Sequence, residues 1–383
     1  MSRVIWNSKK SMTSSSPSSE TLSRDASVIE LMRPIKALID AHPGVTEITM
    51  SSPGEFYLSK NGEWELHKIA SMNFKQCLAL AESVGFRSDQ SIGPKTPLLS
   101  ATLPNGERMQ IVVPPAVEPG TISFSIRIPA SHIRPLSQYA SEGVFQKYLW
   151  VESSDLKRHA EVITPEEKQL CDLLASRQLE QFLMAAVLAK KNIAVVGDTG
   201  SGKTTLMKSM CEHIPSTERL ITIEDVRELF LPKHNNKVHL IYSKGGQGVA
   251  SVTPADLIAS TMRMKPDRVL LAELRGAEAF DFLKLLTTGH SGSITSFHAE
   301  SCALAYERYV FMAKEHADAA IFTDVALKRL VSLTIDIVIH ITCKKVYDAQ
   351  GHAIGVERYV SEVDFDPARK IANQIGDGTL HHA

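Results

Sequence analysis

Gly197-Asp198-Thr199-Gly200-Ser201-Gly202-Lys203-Thr204 satisfies the pattern GxxxxGK[ST] at every fixed position. The apolar run Ile193-Ala194-Val195-Val196 precedes it, and Thr205-Leu206-Met207-Lys208-Ser209-Met210 follows with helix-forming character. A strand, a glycine-rich turn and a helix in that order make a phosphate loop. The glycines let successive backbone amides turn toward one anion with no Cβ in the way. The helix adds the positive end of its dipole. In such a loop Lys203 offers a point charge to β- and γ-phosphates, and Thr204 offers a hydroxyl to Mg²⁺.

Outward from the loop, apolar segments near 219–223, 237–242, 268–272, 293–297 and 335–342 alternate with helical stretches. That rhythm predicts an α/β domain with a mostly parallel, helix-covered sheet. A last strand pair around 353–366 is expected to add an antiparallel edge. Upstream, Thr164-Pro165-Glu166-Glu167 reads as a helix start, and the helical pattern runs to about 190. Residues 27–128 mix helix and strand. Helices are expected over Ser27–Ala41 and Asn73–Phe86, and strands over Val45–Met50, Glu55–Ser59, Glu63–Ile69 and Thr121–Ile128. Turns fall at Pro53-Gly54 and Asn61-Gly62, and a hairpin joins Leu98–Leu103 to Glu107–Val113. This is an α+β pattern. Pro129 and Pro135 mark a linker over 129–164, leaving 165–383 to the phosphate-loop domain. Residues 1–26, Ser-rich over 11–19, read as a disordered tail.

A chain of 383 residues is long enough for two domains. Its 42 Lys and Arg nearly balance 43 Asp and Glu, so no global basic signature for nucleic acid exists. The five cysteines, Cys77, Cys171, Cys211, Cys302 and Cys343, form no CxxC. They argue for a reducing compartment, buried thiols and no structural zinc module. No segment approaches the roughly 20 apolar residues that span a bilayer, and no signal peptide is read at the N-terminus.

Phosphoryl transfer also needs a metal and a group that orients water. Ligands of open α/β sheets bind beyond the C-terminal ends of the strands. There Glu273 leaves the run Arg268-Val269-Leu270-Leu271-Ala272, placed to orient an attacking water or a metal-bound one. Glu224-Asp225 ends another strand and suits either Mg²⁺ coordination through water or the capping of a helix. His290 and His298 flank a Gly/Ser-rich strand and read as phosphate sensors or couplers.

Taken together, GDTGSGKTT (197–205), ITIEDVREL (221–229), MRMKPDRVLLAELRG (262–276) and TGHSGSITSFHA (288–299) resemble the Walker A, Asp box, Walker B and His box of the secretion-ATPase superfamily. The likeness is to the traffic ATPases of type IV secretion and conjugation systems. In the N-terminal half PNGERMQIVVPP (104–115) and TISFSIRIP (121–129) fit as well. The resemblance implies a RecA-like P-loop NTPase C-terminal domain with a smaller α+β N-terminal domain. It implies ATP hydrolysis with Mg²⁺, a homo-hexamer, and a cytoplasmic location peripheral on the inner membrane beside other components of the apparatus. By position, residues 197–205 (Gly197, Asp198, Thr199, Gly200, Ser201, Gly202, Lys203, Thr204 and Thr205) would bind the nucleotide. Glu273 would be the general base, Glu224 the Asp-box acid and His298 the residue near the γ-phosphate. Thr204, Glu224 and Glu273 would serve the metal, and Arg108 and Arg127 would reach the phosphates. Ile128 departs from the Lys that many relatives carry.

Three rival readings compete with this one. A type II secretion or pilus motor ATPase shares the four boxes, but many assembly-type members carry a four-cysteine zinc element, and the basic helical motif that ends retraction-type members is not seen. A nucleic-acid motor would need a basic channel with aromatics, and with balanced charge no sequence-specific nucleic acid is expected. A scaffold that binds ATP without turnover is disfavoured by intact Lys203, Thr204 and Glu273.

Overall fold

The computed structural model describes residues 19–60, 63–128, 133–150, 152–159, 161–242 and 252–375. The expected turn at Asn61-Gly62, Pro129 and residues 1–18 of the expected tail lie outside them. Contacts divide the chain into two compact units, one of Met1–Tyr57 with Leu66–Ile126 and one of Leu58–Glu65 with Arg127–Ala383.

Along the first third of the chain the elements are α1 (Ser19–Ala41), β1 (Glu47–Ser52), β2 (Glu55–Lys60), β3 (Glu63–Lys68), α2 (Phe74–Arg87), β4 (Leu98–Thr102), β5 (Arg108–Val112) and β6 (Ser123–Arg127). The six strands form one sheet in the order β3-β2-β1-β6-β5-β4. Strands β4, β5 and β6 alternate buried and more exposed residues, which is the mark of a sheet with one covered face. Val28, Met32 and Ile35 line the buried stripe of α1 at helical spacing. The helix begins eight residues before the expected Ser27, so residues 19–26 are not tail. Its polar first turns are held by tertiary ion pairs, Arg24 to Asp89 at 2.7 Å and Asp25 to Arg87 at 2.5 Å, which no local periodicity announces.

The larger unit continues with α3 (Leu136–Ser141), α4 (Ser154–Arg158), α5 (Pro165–Ala175), α6 (Leu179–Leu188), β7 (Ile193–Val196), α7 (Lys203–Cys211), β8 (Leu220–Glu224), β9 (Lys237–Ile241), α8 (Pro254–Thr261), β10 (Arg268–Leu271), α9 (Glu278–Thr287), β11 (Ile294–Phe297), α10 (Cys302–Lys314), α11 (Asp324–Thr334), β12 (Ile337–Tyr347), β13 (Ala353–Phe365) and α12 (Ala368–Ile375). The sheet order is β13-β12-β7-β11-β10-β8-β9, parallel throughout except for the antiparallel β12–β13 edge. Successive residues of β7 point to opposite cores: Ile193 and Val195 to one, Ala194 and Val196 to the other. Both faces are covered, which is why β7 reads as an unbroken apolar run.

Two expectations need correction here. The helix read over 165–190 is two helices, because Ser176 ends α5 and Arg177 takes a left-handed φ of +59°. The segment read as a linker belongs to this unit's core. Leu136, Tyr139, Val144, Phe145 and Tyr148 are buried in it, and the Tyr148 hydroxyl donates to the Leu174 carbonyl at 2.9 Å.

Candidate nucleotide site

Parallel strands end on the same edge of a sheet, so residues far apart in sequence meet there. After β7 comes the glycine-rich loop, after β8 Asp225, after β10 Glu273, and after β11 His298. Gly197, Gly200 and Gly202 hold φ of +150°, +75° and +101°. At Gly197 a Cβ would come within 2.0 Å of the Ile341 carbonyl oxygen of β12, so that position admits no side chain. Gly202 is the N-cap of α7 and gives it no side-chain cap, which leaves the first-turn amides facing the loop's interior.

Lys203 lies within this cradle, 7% exposed. Its ammonium donates to the carbonyls of Gly197 and Asp198, both at 2.8 Å, and to Nδ1 of His298 at 3.3 Å. Burial lowers its pKa to about 8, against the raising influence of Glu273 and Asp198. Nε2 of His298 lies 3.3 Å from Glu273 Oε1. Burial, then the Lys203 charge, holds the His298 imidazole below its ordinary value. A neutral ring that accepts from Lys203 through Nδ1 carries its proton on Nε2, toward Glu273. The other oxygen of Glu273 accepts from Arg275 Nη2 at 2.5 Å, and Arg275 Nη1 donates to Asp225 at 3.0 Å. Five side chains thus form one row: Asp225, Arg275, Glu273, His298, Lys203.

Glu224 does not join that row. Its side chain is wholly buried. Oε2 accepts from the amides of Glu228 and Leu229 at 2.7 and 2.8 Å, and Oε1 from the Thr222 hydroxyl at 2.8 Å. Burial works against its charge, but the nearby His239 and the hydrogen bonds from the two amides and Thr222 outweigh it and hold the carboxyl below its ordinary value. The expectation of Glu224 as a metal ligand is corrected on these grounds: its oxygens are spent on folding the 225–229 turn. His290 is also displaced from its expected role. It precedes β11, hence lies at the opposite end of the strand from His298, and Nδ1 pairs with the Thr288 hydroxyl at 3.1 Å.

Arg108 opens β5 and Arg127 closes β6, both on the N-terminal sheet rather than on the parallel sheet that carries the loop. Two residues without an assigned role enter the site. Arg275 is one; its spacing of two from Glu273 was a signal available in the sequence. The other is Arg358 of β13, whose Nε donates to the Gly200 carbonyl at 3.2 Å. Only the β12–β13 register, which pairs Arg358 with Cys343, brings it there.

The arrangement suits a nucleoside triphosphate with a divalent cation. The loop is a backbone cradle with a buried ammonium inside it. Thr204 stands in the first turn of α7, beside Lys203, and Glu273 stands within one side-chain step of that ammonium through His298.

Residues 167–365 match the family model described as type II/IV secretion system protein. The type IV secretion system protein VirB11 of Brucella suis is 40% identical over 358 residues, 93% of this chain and 95% of its own length. The type IV secretion system protein PtlH of Bordetella pertussis is 41% identical over 296 residues, 77% of this chain and 84% of its own. The crystal structure of the VirB11 ATPase from the Brucella suis type IV secretion system, in complex with sulphate, superposes with a TM-score of 0.50 at 41% identity, covering 90% of this chain and 99% of that one.

Proposed function

The chain belongs to the type II/IV secretion system protein family, and from that premise we propose that it hydrolyses ATP with Mg²⁺ to power assembly of, or substrate transfer through, a type IV secretion apparatus. It is an ATPase of the type IV secretion class. The observation that carries the reading of the site is the row from Asp225 to Lys203 along the C-terminal strand edge, beside a glycine cradle.

Residues 197–205 hold the phosphates through loop and helix amides, with Lys203 neutralising the β- and γ-oxygens. Thr204 and Glu273 are the residues that would hold the metal. When bound, the metal withdraws charge from the phosphoryl oxygens. Glu273 Oε1 orients the attacking water and accepts its proton. His298, neutral and donating from Nε2, keeps that oxygen turned toward the ammonium. Arg108 and Arg127 belong to the proposal as phosphate-contacting charges on the strength of the resemblance alone.

No helix among the described residues is long and apolar enough to cross a membrane. The proposal places the chain in the cytoplasm, peripheral on the inner membrane, as a homo-hexamer that contacts other parts of the apparatus.

Steady-state ATP hydrolysis and nucleotide binding test this together. Lys203→Ala is expected to cost on the order of 10²-fold in turnover, by removing a preorganised cation. Glu273→Gln is expected to bind nucleotide and turn it over slowly. Wild-type turnover in Lys203→Ala would refute the site.

A further inference from the structure

The geometry assigns Arg275 a second duty beyond ion pairing: it is a positioning residue that fixes the place and tilt of the Glu273 carboxylate by tying it to Asp225. This rests on the ATPase reading above and adds to it a residue that acts through Glu273.

Arg275 is anchored along its whole length. Its own amide and that of Gly276 donate to Glu278 Oε1 at 2.7 and 3.1 Å, at the start of α9. Its guanidinium spans Glu273 at 2.5 Å and Asp225 at 3.0 Å. Those acids follow β10 and β8, which are neighbours in register, Leu271 opposite Ile223. A planar, forked cation between carboxylates from two paired strands fixes their mutual angle. A lysine, with a single point of charge, does not.

The need for such a clamp follows from Glu273's surroundings. It sits on a loop beyond the strand with several rotatable bonds, and its side chain is 22% exposed. The other cation within reach through His298 is Lys203. Without Arg275 the carboxylate keeps only its contact with His298 on one oxygen, and its second oxygen is free to rotate away from the place from which it orients water. A base that orients water must stand within hydrogen-bond reach of it, and a misplacement of about 1 Å costs on the order of 10²-fold.

The test uses the full chain, with ATP turnover and equilibrium binding of a fluorescent ATP analogue measured side by side. Arg275→Ala is expected to lower kcat by on the order of 10- to 10²-fold with nucleotide affinity held. Arg275→Lys is expected to recover only part of the loss, because it cannot span both acids. Combining Arg275→Ala with Glu273→Gln is expected to be no slower than Glu273→Gln alone, since Arg275 acts through Glu273. Wild-type kcat in Arg275→Ala, full rescue by Lys, or losses that multiply in the double variant would overturn the assignment. If circular dichroism shows Arg275→Ala unfolded, Asp225→Ala removes the second anchor instead. Reduced kcat at unchanged affinity then supports the clamp, and unchanged kcat sinks it. A folded wild-type chain that neither binds nor cleaves ATP would instead bring down the ATPase reading on which the clamp depends.

Discussion

Lys203 shows how one residue couples the loop to its ligand. Buried, with a pKa brought down to about 8, it is charged at pH 6.5 and partly neutral at pH 8.5. A triphosphate anion favours the charged form. Nucleotide binding is therefore expected to take up protons at pH 8.5 and almost none through this group at pH 6.5. Calorimetry in two buffers of different ionisation heat reads this directly; equal heats at pH 8.5 would count against it. Glu224 makes the opposite case, an acid serving structure. Its folded pKa lies below the ordinary 4.5, so its stabilisation is present above about pH 4.5 and is lost as pH falls through the depressed value. Glu224→Gln is expected to cost on the order of 1–3 kcal/mol at neutral pH, by leaving a buried amide poorly paired. It should also flatten the acid limb of stability. Urea unfolding at pH 7 and pH 4 checks both. Nothing local distinguishes Glu224 from Asp225 in the sequence; only burial and the 225–229 turn do.

At the scale of elements, a signature read for function turns out to serve packing at one end. Gly292, in the turn before β11, has φ +82°, and a Cβ there would sit 2.8 Å from Arg268 Nη1. Arg268 is fully buried. It is held by Glu218 at 2.6 Å and by the Val187 carbonyl at 2.7 Å, which ties β10 to α6. Gly292→Ala would force a strained backbone and push the guanidinium off its partner. Breaking a buried pair costs about 3–5 kcal/mol. The variant is expected to lose at least about 3 kcal/mol in denaturant unfolding, while its folded fraction keeps nucleotide affinity, because the turn lies at the far end of the strand from the loop. A variant as stable as wild type would show that the turn relaxes freely. The strands and their mostly parallel arrangement were legible because doubly covered strands such as Ile193–Val196 are largely apolar. The break at Arg177 was not, because the apolar stripe continues across it.

For the whole molecule, the proposed hexamer needs repeated head-to-tail contacts that close on themselves. Light scattering after size exclusion, with and without nucleotide, is expected to give a mass near six times the 42.1 kDa chain. A monomer at micromolar concentration in both states would contradict it. By itself the sequence determined the fold class, the glycine cradle with Lys203 and Thr204, and the acids and histidine that end neighbouring strands. Each of these is written as a local pattern: apolar runs, glycines at fixed spacing, a polar residue where a strand stops. Only the tertiary structure decided which of those groups meet. It put Glu224 inward and Arg275 between two acids, set His290 and His298 at opposite ends of one strand, and carried Arg358 to the loop. Those outcomes depend on burial and on cross-strand register, which arise from residues tens to hundreds of positions apart and leave no mark in any one segment.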